Sequence, residues 1–340
     1  MKAIQLVTYG SADKALRLAD CPKPLPKETE VLIRVESFGL NFADVMARKG
    51  FYRDTPPLPA VLGYEVVGVI EYCGNVVTGF EIGDKVLAFT RFGGYAEFCV
   101  ADHRAVVKIQ EKMDHGIAVA LCTQYCTAYY SAMFAAAIKQ DEKVLIHAAA
   151  GGVGLALVEL AKLKKCTIFG TAGSIDKLDF LTHKGVHFPI NYSESNFVEK
   201  VLELNNGQKI DVVFDPIGGK NFKQGKSLLA AGGRIVSYGA SSQLQGSKGL
   251  VNSLRVLFGF GFYSPIGLIM NSTGILGVNM LTIADHKPEL LQTILQEVLN
   301  LYGEGKLDPY VGASFSVDKI CDAHKFLESR NSMGKIVVNW

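Results

Sequence analysis

The sequence predicts an α/β protein in which a doubly wound parallel sheet follows a β-rich N-terminal part. Three observations support this prediction. Residues 143–163 read as a strand, a glycine turn and an apolar helix, KVLIHAAAGGVG followed by LALVELAKL. Strands and helices alternate from residue 144 to residue 280, as is typical of a parallel sheet. Before residue 114, short strands are separated by glycine and proline, and we expect little helix there.

The composition is that of a globular protein with two domains. The chain has 340 residues, 49% apolar and 20% charged, which is enough for two separate cores. A net charge of +2 gives no reason to expect nucleic acid as a partner. Seven scattered cysteines favour a reducing, cytoplasmic location. No apolar run follows MKAIQLVTYG, so we expect no signal peptide.

The N-terminal strands are predicted from VLIRVESFGLN, from AVLGYEVVGVIEYCGNVVTGFEIGDKVLAF and from GGYAEFCVAD. A long helical pattern, IAVALCTQYCTAYYSAMFAAAI, then leads into the strand at residue 144. After the glycine turn, helices are predicted at 175–184, 196–204, 222–229 and 287–303. The strands between them are TIFGTAG, HFPINY, DVVFDPIGG, GRIVSYGA and GILGVNM. FSVDKICDAHKFLESR predicts a last helix, and GKIVVNW a last strand that returns to the first domain.

The glycine turn is the strongest functional signal in the chain. In AAAGGVG, Ala149 takes the place of the first glycine of the G-x-G-x-x-G fingerprint. Gly151 allows the backbone to approach a pyrophosphate, and Gly154 allows the helix to pack closely on the strand. The helix N-terminus adds N–H groups and a positive dipole end. We therefore predict that Gly151, Gly152, Val153 and Gly154 bind a dinucleotide; the alternative is an ordinary tight turn.

The residues at the end of the second strand of this pattern indicate whether the protein binds NAD or NADP. NAD-binding proteins usually carry a carboxylate there, which holds the ribose 2′-hydroxyl. Here Gly173 and Ser174 follow Ala172, and no carboxylate appears before Asp176 in the next predicted helix. A carboxylate would repel a 2′-phosphate, so its absence favours NADP(H). Lys177 supplies a positive charge that can reach this phosphate; the alternative is a solvated surface lysine.

Residues 250–281 are unusually apolar. Arg255, Pro265 and several glycines interrupt the run, so it is shorter than a membrane-spanning helix needs. We interpret it as a buried helix pair followed by a core strand. The alternatives are a subunit interface or apolar substrate lip, and association with a membrane surface.

Several motifs occur in a characteristic order: GYEVVGVIEYCGNVVTGFEIGDKVLAF, AAAGGVG, FDPIGG, VSYGASS and MGKIVVN. They resemble the medium-chain dehydrogenase/reductase superfamily and, within it, the zinc-independent quinone oxidoreductases. LYGEGKLDPYVG and the apolar insert before GILGV resemble the VAT-1-like branch. The resemblance implies a GroES-like β-barrel catalytic domain with an inserted Rossmann doubly wound parallel sheet. The first domain is expected at 1–123 and 285–340, and the NADP-binding domain at 124–284.

The resemblance also implies roles for individual residues. Asn41 is expected to hydrogen-bond to the substrate, and Tyr52 to form a wall of the pocket or to donate a proton. Asp44 caps local backbone or touches substrate. Cofactor contacts are expected from Thr127, Tyr130, Tyr192, Tyr238, Gly239 and Arg330. For Arg330 a surface salt bridge is the alternative. A homodimer is expected through the strand at 274–280, since an apolar edge strand favours pairing with a second copy.

No metal is expected. Asn41 and Tyr64 stand where the zinc-dependent members of the superfamily have a Cys and a His, and neither is an adequate replacement as a ligand. Without a metal, hydride addition to a quinone or an α,β-unsaturated carbonyl is favoured, because the charge is delocalised onto an oxygen that a few hydrogen bonds can satisfy. We therefore predict an NADPH-dependent reductase of small-molecule quinones or enones. The alternatives are a membrane-associated or partner-binding protein with weak reductase activity, and an enoyl-thioester reductase.

Overall fold

The computed structural model describes residues 1–242 and 258–340. The chain forms two compact units, and the second is inserted into the chain of the first. The first unit comprises Met1–Cys126, Met280–Gly303 and Pro309–Trp340. The second comprises Thr127–Asn279 and Glu304–Asp308.

The strands, in chain order, are β1 Lys2–Leu6, β2 Leu16–Asp20, β3 Glu30–Leu40, β4 Ala60–Val61, β5 Glu65–Cys73, β6 Lys85–Phe89, β7 Phe98–Asp102, β8 Val106–Lys108, β9 Lys143–Ile146, β10 Thr167–Ala172, β11 Phe188–Asn191, β12 Ile210–Asp215, β13 Leu229–Ser237, β14 Gly274–Gly277, β15 Val311–Ser316 and β16 Lys335–Asn339. The helices are α1 Ala12–Ala15, α2 Phe42–Lys49, α3 His115–Leu121, α4 Thr123–Tyr129, α5 Gly152–Leu163, α6 Ile175–His183, α7 Phe197–Leu204, α8 Lys220–Ser227, α9 Pro265–Asn271, α10 Met280–His286, α11 Pro288–Gly303 and α12 Ile320–Glu328. A π-helix covers Tyr130–Ala135.

The first unit is built mainly on antiparallel sheets. Its larger sheet has the order β15-β16-β3-β5-β6-β8, with β7 paired to β3. Inward-facing residues such as Ile33, Phe38 and Val66 are fully buried in its core. The C-terminal strand β16 runs antiparallel to β3 with Ile336 opposite Leu40. This register brings Lys335, the first residue of β16, close to Asn41, which follows β3.

The second unit contains a parallel sheet with the order β11-β10-β9-β12-β13-β14. Numbered from β9, this order is 3-2-1-4-5-6, the classic doubly wound arrangement, and ligands bind where the order reverses. Here the reversal lies between β9 and β12. A side chain at Gly154 would place its Cβ 2.7 Å from the Ala149 Cα, so only glycine lets α5 pack this closely on the turn after β9. The structure confirms the predicted α/β fold.

The first unit contains more helix than we predicted from its sequence. Residues 42–49 form α2, although we expected little helix before residue 114. The helix begins where the Asn41 N–H is bonded to the Asp44 carboxylate, as in a capping box. The pattern after residue 116 is not one long helix, since Cys122, with ψ of −104°, separates α3 from α4. The helix predicted at 222–229 begins two residues earlier, at Lys220.

The interpretation of residues 250–281 as a buried helix pair and a core strand is wrong for its described part; residues 250–257 lie outside the described ranges. The helix α9 has no buried residue, and the side chains of Ile269 and Met270 are 75% and 81% exposed. The strand β14 is at the edge of its sheet. Among the described helices, none is both long and apolar enough to span a membrane.

Candidate active site

The glycine turn lies at the carboxyl end of β9, next to the point where the strand order reverses. Ala148 has a φ of 51°, in the left-handed region, and turns the chain after the strand. Gly151 is the N-cap of α5, and Gly152, Val153 and Gly154 form its first turn. N–H groups in the first turn of a helix have no partner within the helix. The turn could therefore hold an anion, and it lies at the position where doubly wound sheets bind phosphates.

Other predicted cofactor residues gather at the same edge of the sheet. Gly173 follows β10, and Ser174 is the N-cap of α6. Tyr192 directly follows β11, and its hydroxyl would lie 2.6 Å from a Cβ placed on Gly173. Tyr238 and Gly239 directly follow β13. Because the carboxyl ends of parallel strands share one edge, the fold brings these residues to the edge that carries the glycine turn.

Lys177 lies in the first turn of α6, close to Ser174 in the chain. Partial burial lowers its pKa. No carboxylate stands between the end of β10 and the start of α6.

The remaining predicted residues are distributed over both units. Thr127 is in α4, and Tyr130 begins the π-helix, with its ring stacked on Phe134 at 5.8 Å between centroids. Arg330 belongs to the first unit, where it follows α12 with a φ of 63°. Asn41 and Tyr52 also belong to the first unit. Contact of these five residues with cofactor or substrate stays a prediction.

Asn41 is part of a buried charged cluster, which we call the Asn41–Glu65–Lys335 network. Its Nδ2 donates to Glu65 Oε1 at 2.7 Å, and its Oδ1 accepts from Lys335 Nζ at 3.2 Å. Lys335 and Glu65 form an ion pair, and both side chains are 0% exposed. The other carboxylate oxygen of Glu65 accepts from the Thr123 N–H at 3.0 Å.

Gly39 makes room for this network. A Cβ at that position would overlap both the Glu65 carboxylate and the Lys335 side chain. The sequence analysis did not identify Glu65 or Lys335 as site residues. The feature that could have identified them is a single charged residue at the start of an apolar strand: Glu65 in EVVGVI and Lys335 in KIVVN.

Asp44 and Tyr52 are two further polar residues of the first unit. The Asp44 carboxylate accepts from the Asn41 N–H at 2.8 Å, so the capping alternative is confirmed. Desolvation raises the pKa of Asp44 to about 7. The ring of Tyr52 packs edge to face on Tyr64, with centroids 6.1 Å apart. Burial raises the pKa of Tyr52 to about 12, so its hydroxyl stays protonated and can donate at neutral pH.

The residues at the zinc-ligand positions do not fit a metal. The amide of Asn41 is bonded to Glu65 and Lys335, and the ammonium of Lys335 would repel a divalent cation placed beside them. Tyr64 is buried, which raises the pKa of its phenol well above the ordinary value and disfavours a phenolate ligand. Within residues 1–242 and 258–340, no group of three or more His, Cys, Asp or Glu could hold a metal ion.

Replacing Asp44 with asparagine is expected to change how stability depends on pH. Because its pKa rises from 3.8 to about 7 on folding, the folded state keeps a proton that the unfolded state releases, and stability falls as pH rises from about 4 to about 7. Asparagine can still accept from the Asn41 N–H but does not titrate. Urea denaturation should therefore show Asp44→Asn more stable than wild type by about 2–4 kcal/mol at pH 8 and nearly equal to it at pH 4. The same difference at both pH values would contradict a titrating Asp44.

Comparisons with known proteins agree with this architecture. Residues 27–111 match the alcohol dehydrogenase GroES-like domain, and residues 184–338 match the zinc-binding dehydrogenase family. The chain is 35% identical over 339 residues to a synaptic vesicle membrane protein VAT-1 homolog of Danio rerio, covering 99% of this chain and 69% of that protein. It is 29% identical over 340 residues to the quinone oxidoreductase of Homo sapiens, covering 99% and 97%.

A solved mycobacterial structure in complex with NADPH is 28% identical and covers both chains completely, with a TM-score of 0.88. The matches to these proteins extend over both units of the fold. On this evidence, the chain belongs to the medium-chain dehydrogenase/reductase superfamily of oxidoreductases.

Proposed function

We propose that this protein is a zinc-free, NADPH-dependent reductase of the NADPH:quinone oxidoreductase type, which transfers hydride to quinones or α,β-unsaturated carbonyls. The observation that carries the proposal is the glycine turn at the reversal point of the parallel sheet, followed at the end of β10 by Gly173 and Ser174 instead of a carboxylate. The human quinone oxidoreductase and the mycobacterial NADPH complex support the same activity and the same cofactor.

The second unit would hold the cofactor through residues at one edge of its sheet. The pyrophosphate would bind the N–H groups at the start of α5, and Lys177 the 2′-phosphate. Tyr192 would lie beside the adenosine, and Tyr238 and Gly239 beside the nicotinamide. Thr127 and Tyr130 are proposed at the nicotinamide end, and Arg330 as a further cofactor contact. When bound, NADPH supplies the hydride.

The residues of the first unit would act on the substrate. Hydride addition to a quinone or an enone places negative charge on an oxygen, which needs hydrogen-bond donors in a site that excludes water. Tyr52 is a suitable donor because its phenol remains protonated, with a pKa of about 12. Asn41 carries amide N–H groups for the same purpose. Lys335, although cationic, already contacts Glu65 and Asn41.

Two measurements test this function. Thermal unfolding should shift to higher temperature with NADPH much more than with NADH, because a ligand that binds only the folded state stabilises it by mass action. Addition of 1,4-naphthoquinone should then cause oxidation of NADPH. Failure to oxidise NADPH with any quinone or enone would contradict the proposal. Reduction of acyl-CoA enones without reduction of quinones would instead indicate an enoyl-thioester reductase.

The exposed apolar surface of α9 favours a second candidate function, a membrane-associated or partner-binding role with weak reductase activity. Ile266, Ile269 and Met270 are 69%, 75% and 81% exposed there. Liposome flotation without quinone reduction would support this candidate.

A cytoplasmic homodimer paired through β14 is proposed for the reductase. Flotation would be absent in that case, and sedimentation would give twice the mass of the chain.

A further inference from the structure

The first unit contains a fully buried ion pair that the proposed reaction does not use directly. We propose that Glu65 and Lys335 are positioning residues, which hold the side-chain amide of Asn41 in one of its two orientations so that its NH2 group serves as the donor to the substrate oxygen. The inference rests on the proposed reductase function and extends it to two residues that no comparison assigns.

The charges of the two neighbours determine the orientation of the amide. A side-chain amide has a donor end and an acceptor end, and rotation by half a turn exchanges them. A carboxylate can only accept, and an ammonium group can only donate. In the observed orientation Nδ2 faces Glu65 Oε1 at 2.7 Å and Oδ1 faces Lys335 Nζ at 3.2 Å. The opposite orientation would place the amide oxygen against the Glu65 carboxylate and the NH2 group against the Lys335 ammonium, so both contacts would become repulsive.

This orientation leaves a donor available where the reaction needs one. The Nδ2 atom carries two N–H groups, and the contact with Glu65 uses one of them. The side chain of Asn41 is largely buried, but the residue keeps 8% exposure. A donor fixed before the reaction stabilises the charge that develops on a quinone or enolate oxygen. A flipped amide would present an acceptor oxygen to that charge and would oppose the reaction.

The network is attached to three neighbouring strands of the larger sheet of the first unit. Asn41 follows β3, Glu65 begins β5 and Lys335 begins β16, and β3 lies between β16 and β5 in the sheet. The Thr123 N–H fixes the second oxygen of Glu65 at 3.0 Å. Gly39 keeps free the space that the two charged side chains occupy. Neighbouring strands thus determine the relative positions of all three side chains.

A contribution to the stability of the fold does not by itself explain why this ion pair is present. Two charges lose their hydration when they are buried, and neutral replacements of similar size are often as stable or more stable. Both Glu65 and Lys335 are 0% exposed. A role in orienting Asn41 gives the pair a function that a neutral pair would not perform.

A double-mutant cycle on activity tests the inference. The pair-neutral variant is Glu65→Gln with Lys335→Met, and it is made in the wild-type background and in the Asn41→Ala background. With NADPH and 1,4-naphthoquinone, the pair-neutral variant should lower kcat/KM by about 10-fold to 100-fold in the wild-type background. In the Asn41→Ala background it should cause almost no further loss, because residues that act through one another are not additive.

A second ion pair provides the control. Arg234 and Glu142, in the second unit, are bonded at 2.6 Å, and Glu142→Gln with Arg234→Met should leave kcat/KM within about 2-fold. An equal loss from the pair-neutral change in both Asn41 backgrounds, or no loss in either, would overturn the positioning role. A wild-type protein that neither binds nor reduces the quinone would instead refute the proposed function on which the inference rests.

Nuclear magnetic resonance provides a readout that does not depend on turnover. In protein labelled with ¹⁵N-asparagine, the side-chain signal of Asn41 is identified by its loss in Asn41→Ala. We expect the N–H that faces Glu65 to be protected from exchange with water in the wild type and to lose that protection in the pair-neutral variant. Rapid exchange in the wild type, or unchanged protection in the pair-neutral variant, would overturn the inference even if the enzyme is active.

Discussion

Lys335→Met alone should lower the free energy of unfolding by about 3–5 kcal/mol, because it leaves the carboxylate of Glu65 buried without its counter-charge. The two side chains are 0% exposed, so water cannot compensate the carboxylate in the folded state. The Asn41 amide and the Thr123 N–H remain as partners, but neither carries a charge. Urea denaturation at neutral pH measures the loss.

Two comparisons make this prediction specific. Lys325→Met removes a lysine from an ion pair with Asp13 in which both side chains are more than half exposed, so stability should change little. The pair-neutral variant should recover most of the stability that Lys335→Met loses, because no unpaired charge is left buried. Equal effects of Lys335→Met and Lys325→Met would show that burial of the Glu65–Lys335 pair has no energetic consequence.

Lys177→Ala should weaken NADPH binding by about 10-fold to 100-fold and leave NADH binding nearly unchanged. A hydrogen bond to a charged group contributes about 1.5–3 kcal/mol, and only NADPH carries the 2′-phosphate that Lys177 is proposed to contact. The position of Lys177 in the first turn of α6, after Gly173 and Ser174, is the physical basis of this prediction. Dissociation constants for both cofactors measure the change in preference.

Lys184→Ala is the matched control for this experiment. Lys184 is the C-cap of the same helix and forms an ion pair with Asp308 at 2.7 Å. Loss of its charge should affect NADPH and NADH equally and weakly. If Lys177→Ala reduced the affinity for both cofactors by the same factor, Lys177 would not be the residue that recognises the 2′-phosphate.

Much of the second unit could be predicted from local patterns. The informative features are all short-range: the glycines after β9, the alternation of apolar strands and helices, and the absence of a carboxylate after β10. In a parallel sheet, residues that follow the strands necessarily share one edge, so the positions of Gly151, Gly173 and Tyr238 follow from the element order alone. Their contacts with a cofactor remain predictions.

Local patterns were less informative in the first unit. The helix α2 has a recognisable start in Asn41 and Asp44, but the glycines and prolines around it favoured a loop. The same holds for one helix of the second unit: the apolar residues of α9 predicted burial, yet within the described residues this helix has none that is buried. Hydrophobicity shows which residues avoid water, and it does not show what will cover them.

The sequence alone determined the class of fold, the place of the glycine turn and the family, because each depends on periodicity or on residues that are close in the chain. Only the tertiary structure decided that Asn41, Glu65 and Lys335 meet. Asn41 is 24 residues from Glu65 and 294 residues from Lys335 in the chain. The order and register of β16, β3 and β5 bring them together, and a one-dimensional pattern of apolar and polar residues does not specify which charged side chains become neighbours.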